Sequence, residues 1–294
     1  MQKLEKPQWL KIKLNINDNF SNIKTTLKQY NLHTVCEEAH CPNISECWNT
    51  GTATFMLMGD TCTRGCKFCA VKTGNPMKKI DEDEPKKLAQ ALAEIKLFDY
   101  VVLTSVNRDD LEDGGSSHFA ECVKEIKRAY PEIIVEVLIP DFKGDFEALK
   151  KIVDAKPEVI AHNIETVERL QRKVRDIRAN YKQSLSVLGN VKKLNPKIYT
   201  KSSIMVGLGE TEEEVMQSMK DLRTINVDIL TIGQYLRPSN WHIPISSFVP
   251  PEKFEFFKQK ALELGFLFCA SGPFVRSSYR AGELFVKNVI KRNS

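Results

Sequence analysis

The sequence predicts an α/β fold: a partial barrel of six strand–helix units. Three observations carry that prediction. Short apolar runs alternate with amphipathic helical stretches six times between residues 53 and 264. The unusual polar residues fall directly after the apolar runs. A loop rich in cysteine, Cys62-Thr-Arg-Gly-Cys66-Lys-Phe-Cys69, follows the first run. Repeated strand–helix units imply parallel strands with right-handed crossovers. Six units rather than eight imply an open barrel. Periodicity alone does not separate this from a doubly wound sheet.

The elements follow in order. Residues 1–50 are a polar, lysine-rich lead-in with one helix over 19–30, where Ile23 and Leu27 share a face. The first strand is placed at 53–58, and the cysteine loop follows it. Pro85 opens a helix with Leu88, Leu92 and Ile95 at helical spacing. Strands are predicted at 100–105, 133–139, 159–162, 198–206 and 228–233. Helices alternate with them at 116–130, 145–154, 165–174 and 181–194. Pro131 stops the first of these. Thr211 and Glu214 spell a capping box for a helix through 222. A helix opening at Pro251 runs to 264 and ends at Gly265. A last short strand at 266–270 and a basic helix at 284–291 complete the prediction. The expected organisation is an N-terminal extension (1–50), the barrel (51–272) and a C-terminal tail (273–294).

Composition bounds the function. The chain has 294 residues, 42% hydrophobic and 28% charged, which is ordinary for a soluble globular protein. The net charge of +5 is mild. It gives no reason to expect nucleic acid, and only a weak preference for acidic partners. No apolar stretch approaches membrane-spanning length, so no membrane is expected. The start lacks an apolar run, and the first arginine is Arg64, so neither an export signal nor an Arg-rich transit peptide is expected. Eight cysteines in a reducing, cytoplasmic setting favour metal ligation over disulfides.

The cysteine spacings carry the chemistry. Three thiolates at Cys-x3-Cys-x2-Cys can close on one soft metal centre. A structural zinc site or an ordinary four-iron cluster takes four protein ligands. Three local ligands leave one iron of a cubane open to bind a small molecule. A zinc knuckle completed by a distant cysteine is the plain alternative. A second group, Cys36-x4-Cys41-x5-Cys47, lies in a polar stretch between Glu37, Glu38, Asn43 and Glu46. Packing of small free thiols does not explain that placement. Cys122 and Cys269 read as core packing. Polar groups follow each predicted strand: Asn107–Asp110, Asp141, His162–Thr166, Gly207–Glu210 and Gln234–Ser239. Gly207 and Gly209 would let backbone approach a flat ligand, and Phe68 could pack beside it.

The chain resembles the lipoyl synthase family of the radical S-adenosylmethionine (SAM) superfamily, from about Val35 to Leu284. The resemblance is carried by the two cysteine groups, Met58-Gly-Asp-Thr-Cys62, Arg108-Asp-Asp-Leu with Asp113-Gly-Gly, His162-Asn-Ile-Glu-Thr, Met205-Val-Gly-Leu-Gly-Glu and Arg276-Ser-Ser-Tyr279. It implies two 4Fe–4S clusters. Cys62, Cys66 and Cys69 hold the one that binds SAM. Cys36, Cys41 and Cys47 hold an auxiliary one that donates sulfur and is consumed. Its fourth ligand is a serine. Ser277 and Ser278 are adjacent and their chemistry does not choose; the family pattern selects Ser278, whose ordinary role would be a helix N-cap. Phe68, Asn163, Gly207 and Gln234 are candidate SAM contacts. The implied reaction is radical insertion of two sulfurs at C6 and C8 of a protein-bound octanoyl chain. Implied partners are octanoylated lipoyl domains of 2-oxoacid dehydrogenases, the glycine cleavage H protein, and a ferredoxin or flavodoxin. The alternatives are another radical SAM sulfur inserter, biotin synthase-like or methylthiotransferase-like, and a zinc-stabilised binding module.

Overall fold

The structure, a computed structural model, describes residues 5–10, 18–39, 41–49 and 52–278. The predicted helix at 284–291 lies outside the described residues. Among the described residues the strands are β1 (His33–Thr34), β2 (Thr54–Leu57), β3 (Thr61–Cys62), β4 (Lys72–Thr73), β5 (Tyr100–Ser105), β6 (Ile134–Leu138), β7 (Val159–Ala161), β8 (Tyr199–Val206), β9 (Ile229–Gln234) and β10 (Phe268–Gly272). Eight of them form one sheet in the order β1-β2-β5-β6-β7-β8-β9-β10. From β2 to β10 every pairing is parallel; β1 runs antiparallel at the edge.

This is the predicted partial barrel, with two additions. The short strand after the sixth unit joins β9 as a seventh parallel strand. A two-residue strand from the extension lengthens the opposite edge. The first was expected as a strand at 266–270 but not placed in the sheet; the second was too short to show a period in the sequence.

The helices are α1 (Asp18–Gln29), α2 (Val35–Glu38), α3 (Ile44–Asn49), α4 (Glu84–Ile95), α5 (Ser116–Ala129), α6 (Phe146–Asp154), α7 (Gln171–Val174), α8 (Tyr181–Leu194), α9 (Glu212–Thr224) and α10 (Pro251–Glu263). The Thr211–Glu214 capping box forms as expected. Gly265 follows α10 with φ +91°, where a side chain would be strained. One boundary differs. The predicted helix at 165–174 starts late, as a 3-10 turn at Glu168–Leu170 followed by α7. Glu165 instead bridges to Ile204. Its N–H donates to Ser203 O at 3.1 Å, and its carbonyl accepts from Met205 N at 2.8 Å. Sheet bonds there outcompete helix propensity.

Strand alternation divides the interior from the helical layer. Val101, Leu103, Val135 and Val137 pack with α4 and α5 residues such as Leu88, Leu92, Phe119 and Val123. Their neighbours Tyr100, Val102 and Ile134 therefore face inward. The same interior holds a buried ion pair, Lys201 Nζ to Glu136 Oε1 at 2.7 Å, with the Tyr100 hydroxyl donating to the same carboxylate. The N-terminal extension is not a separate body. Ile23, Leu27, Cys36, Cys47 and Trp48 belong to the same apolar cluster as Phe55, Leu92 and Leu103.

His162 is a structural residue with a pH signature. Its Nδ1 donates to Ile139 O at 2.8 Å and its Nε2 accepts from the Ser184 hydroxyl at 2.9 Å. Burial, and then the Arg175 charge, push its pKa down to about 4. The unfolded chain binds this proton near pH 6.5. Between those values the unfolded state carries more protons, so stability rises with pH there. The His162 contribution should be complete above pH 6.5 and shrink by about 3 kcal/mol as pH falls to 4. Urea unfolding at pH 7 and pH 4.5 checks this; His162→Asn should flatten the difference.

Candidate active site

The cysteine loop is set by interactions that do not involve cysteine. After β2 the chain turns through Met58 (φ 65°) and Gly59 (φ 85°). The Glu84 carboxylate receives the Met58 N–H at 2.9 Å and is bonded by His118 Nε2 at 2.6 Å. The β3–β4 ladder, Thr61 with Lys72 and Cys62 with Thr73, closes the base of the loop. Arg64 points inward at 4% exposure. Its Nε and Nη2 bond Asp109 at 2.8 and 2.9 Å, and its Nη1 bonds Asp141 at 2.7 Å. Burial opposes the charge on Arg64, but these carboxylates outweigh it and hold the guanidinium above its ordinary pKa.

Other bonds tie the loop to the rest of the rim. Gly65 N donates to Asp176 Oδ2 at 2.8 Å, and Arg178 Nη2 donates to Thr63 O at 2.7 Å. His242 Nε2 donates to Cys69 O at 2.9 Å. The loop thus bonds to segments following β5, β6, β7 and β9, all at the carboxyl ends of the strands, where such barrels place their chemistry. Sequence reasoning noted acids on the rim but missed Arg64 as their partner. An arginine between two cysteines gives no sign of pointing inward.

Backbone N–H groups face the sulfurs. Cys62 Sγ accepts from the N–H groups of Arg64 and Asn107 at 3.4 and 3.3 Å. Cys66 Sγ accepts from Asp176 N at 3.3 Å, and the Val71 N–H favours thiolate at Cys69. Burial pushes the Cys66 and Cys69 thiols up to about 11 and about 12. Without a cation these would be thiols. A bound metal reverses that and takes the thiolates that the N–H donors await. The donor set therefore fits an iron–sulfur cluster. Another group of donors converges elsewhere: ligand atoms of Glu84, His118 and Cys122 all fall within 4.8 Å of one another. Met58 N and His118 already use the Glu84 oxygens there, so that trio is satisfied without an ion. Cys122 and Cys269 are buried at 0% and 2%, as expected of core cysteines.

The remaining rim residues divide by whether their polar atoms are satisfied. Asn163 Oδ1 is buried with no hydrogen-bond partner among the described residues, while its Nδ2 donates to Glu165 at 3.1 Å. Burial raises the Glu165 pKa. Gln234 is fully used: Nε2 donates to Tyr235 O and Ser247 O at 3.1 Å each, and Oε1 accepts from Val249 N at 2.8 Å. A Cβ on Gly207 would lie 2.2 Å from Gln234 Nε2 and 2.5 Å from Ser247 O, so packing of the chain on itself is enough to require glycine. Phe68 is half-buried against the apolar cluster of Tyr235, Ile243 and Phe254.

The second cysteine group meets the C-terminal segment. Cys36 lies in α2 and Cys47 in α3, both 8% exposed, and Cys41 lies between them, half-buried. Burial pushes the Cys36 thiol up to about 11, and Trp48 partly offsets this. Trp48 Nε1 is otherwise buried without a hydrogen-bond partner among the described residues. Asn43 Nδ2 donates to Phe274 O at 2.7 Å, joining this group to the turn after β10. Arg276 follows. Burial lowers its pKa and the nearby Cys41 opposes that. Its Nη1 bonds backbone carbonyls, the nearest being Val275 O at 2.7 Å. Among the described residues no carboxylate pairs with it. A half-buried cation beside Cys41 fits an anionic cluster. Ser277 and Ser278 come next, both half-buried.

A parallel partial barrel with this cysteine loop after its first parallel strand defines a radical SAM enzyme, and residues 56–222 match the model of the Radical SAM superfamily. Residues 1–41 match the N-terminal domain of lipoyl synthase. The chain is 57% identical over 296 residues to a lipoyl synthase of Halobacterium salinarum, covering 99% of this chain and 94% of that one. It is 55% identical over 282 residues to one of Anaeromyxobacter sp. (strain Fw109-5), covering 96% and 95%. A mitochondrial lipoyl synthase of Culex quinquefasciatus is 54% identical, covering 99% and 78%. Among solved structures, the FeFe-hydrogenase maturase HydG from Carboxydothermus hydrogenoformans (TM-score 0.56, 13% identity, 93% and 78% covered) and methylornithine synthase (0.55, 15%, 84% and 73%) share the fold. The chain belongs to the lipoyl synthase family.

Arg64→Ala would leave Asp141, and largely Asp109, as buried uncompensated charges. Urea unfolding of the metal-free chain should show a loss of about 3–5 kcal/mol, partly recovered by adding Asp141→Asn. A loss below about 1 kcal/mol, the value of an exposed pair, would contradict the assignment.

Proposed function

We propose that the enzyme builds the lipoyl group in place, inserting sulfur at C6 and C8 of an octanoyl chain amide-linked to a lysine of a carrier domain. The observation that carries this reading is the Asn43–Phe274 bond with Arg276 beside Cys41. It joins a second cysteine triplet to the arginine–serine segment. Other radical SAM sulfur inserters would share the Cys62 loop without that pairing.

Cys62, Cys66 and Cys69 would hold the cluster that binds SAM, and Cys36, Cys41, Cys47 and Ser278 the auxiliary one. When bound, the SAM-ligated cluster supplies radical chemistry, which unactivated C–H bonds require because no side-chain base removes their protons at neutral pH. The chain's own residues position and exclude. Arg64, Asp176 and His242 fix the loop. Asn163 Oδ1 offers SAM an unused acceptor. Gly207 and Gln234 act on SAM through the 246–249 segment that they hold, and Phe68 shields one side. Arg276 balances the charge of the auxiliary site. An alkoxide from Ser278 is the oddest ligand for iron and the easiest to lose, which suits a cluster that gives up sulfur. The extension and the 273–294 segment act as one cover that keeps water from the site.

The substrates are octanoylated lipoyl domains of 2-oxoacid dehydrogenases and the glycine cleavage H protein, with a ferredoxin or flavodoxin as reductant. All eight cysteines are free, which suits a reducing compartment, and we place the enzyme in the cytoplasm. Some relatives carry mitochondrial or apicoplast labels, and fractionation of the source cells distinguishes these. Among the described residues no helix is long and apolar enough to cross a membrane.

Anaerobic reconstitution should load two 4Fe–4S clusters per chain, and product mass on an octanoylated carrier should show two added sulfurs. Replacing Cys36, Cys41 and Cys47 by alanine should remove about half of the iron and abolish sulfur insertion while SAM cleavage persists. Cys122→Ala and Cys269→Ala should keep full iron. Colourless protein with stoichiometric zinc would refute the reading. Removing residues 273–294 should empty the auxiliary site; unchanged iron and activity would refute the cover.

A further inference from the structure

We propose that the outer face of the cysteine loop is the docking surface for the acidic one-electron carrier protein that reduces the cluster. The proposal rests on the reading that Cys62, Cys66 and Cys69 hold that cluster.

Lys67 is exposed in a loop whose other members, from Cys62 to Cys69, are buried or half-buried. Its N–H donates to Val174 O at 2.9 Å, and its carbonyl accepts from Ile243 N at 3.0 Å. These bonds bring α7 and the 241–243 run alongside it. Helix α7 adds Arg172 and Lys173, both exposed. Among the described residues, Lys67, Arg172 and Lys173 have no carboxylate partner. The neighbouring cation Arg178 differs, being tied to Asp176 at 2.8 Å and Asp109 at 3.3 Å.

The same face exposes apolar bulk. Ile177 is 77% exposed and Trp241 is 70% exposed. Ile177 sits between the two residues that bond Gly65 and Thr63. Trp241 packs at a 40° tilt against His242, with ring centroids 4.7 Å apart, and His242 bonds Cys69. Exposed apolar anchors among unpaired cations have the make-up of a transient protein interface. The sign of the charge selects an acidic partner and speeds its encounter. The position selects the electron donor: Lys67 lies between two cluster cysteines, so only the loop would separate a donor here from the iron. The carrier loses one electron and the cluster gains it; no covalent bond changes at this surface.

The test uses the chain carrying both Arg172→Glu and Lys173→Glu, with a reduced acidic flavodoxin as probe. Flavodoxin affinity, measured by anaerobic calorimetry, should fall at least ~10-fold at low salt and lose most of its salt dependence. Flavodoxin-driven turnover should fall by a similar factor, while dithionite-driven turnover stays at the wild-type rate. Lys193→Glu with Lys220→Glu, on the outer helices, should change neither. Unchanged flavodoxin affinity overturns the proposal. So does an equal loss with dithionite, which would assign the patch to the carrier domain or to folding. Absence of dithionite-driven sulfur insertion in the wild type would instead sink the functional reading, and the calorimetry would still judge the patch.

Discussion

A buried arginine between two carboxylates from different loops organises the active end of this barrel. Arg64 sits inside the cysteine loop, Asp109 follows β5 and Asp141 follows β6. None of the three charges could be held there alone, because removing an ion from water is repaid only by close, well-directed partners. The compensation forces the three segments into one arrangement. The backbone N–H groups that face Cys62 and Cys66 are consequences of it, since Asn107 precedes Asp109 and Asp176 also holds Gly65. The protein thus shapes a sulfur-ligand site with oxygen and nitrogen groups, before any metal binds.

The open side of the barrel poses a second problem. A seven-stranded parallel sheet that does not close leaves two edges. The extension covers one through β1, and the chain after β10 reaches back towards it. Gly233 allows this crossing: a Cβ there would lie 2.1 Å from Val275 O. The same crossing delivers Arg276 to Cys41. Closure of the fold and assembly of the second cysteine site are therefore one event. This explains why Cys36 and Cys47 are buried among apolar residues although their local sequence is polar.

Polar residues on the rim are not equivalent. His162 and Gln234 have every polar side-chain atom paired within the chain, and their job is to hold neighbouring segments. Asn163 keeps a buried acceptor unpaired among the described residues. An unpaired buried acceptor costs stability, and a ligand that donates to it recovers that cost. The distinction separates fully paired framework residues from one with an acceptor to spare.

The sequence by itself determined the order of strands and helices, the parallel pairing of the strands and the two cysteine groups, because these rest on local periodicity and spacing; closing the sheet into a partial barrel rather than a doubly wound sheet was not among them. The capping box at Thr211 and the terminators at Pro251 and Gly265 were legible for the same reason. The late start of α7 was not, because Glu165 is claimed by β8 across 38 or more residues of chain. Nor were the partners of Arg64, the Asn43–Phe274 bond that spans 231 residues, or the exposure of Ile177 and Trp241. Those depend on which side chains lose water together, and only the folded chain decides that.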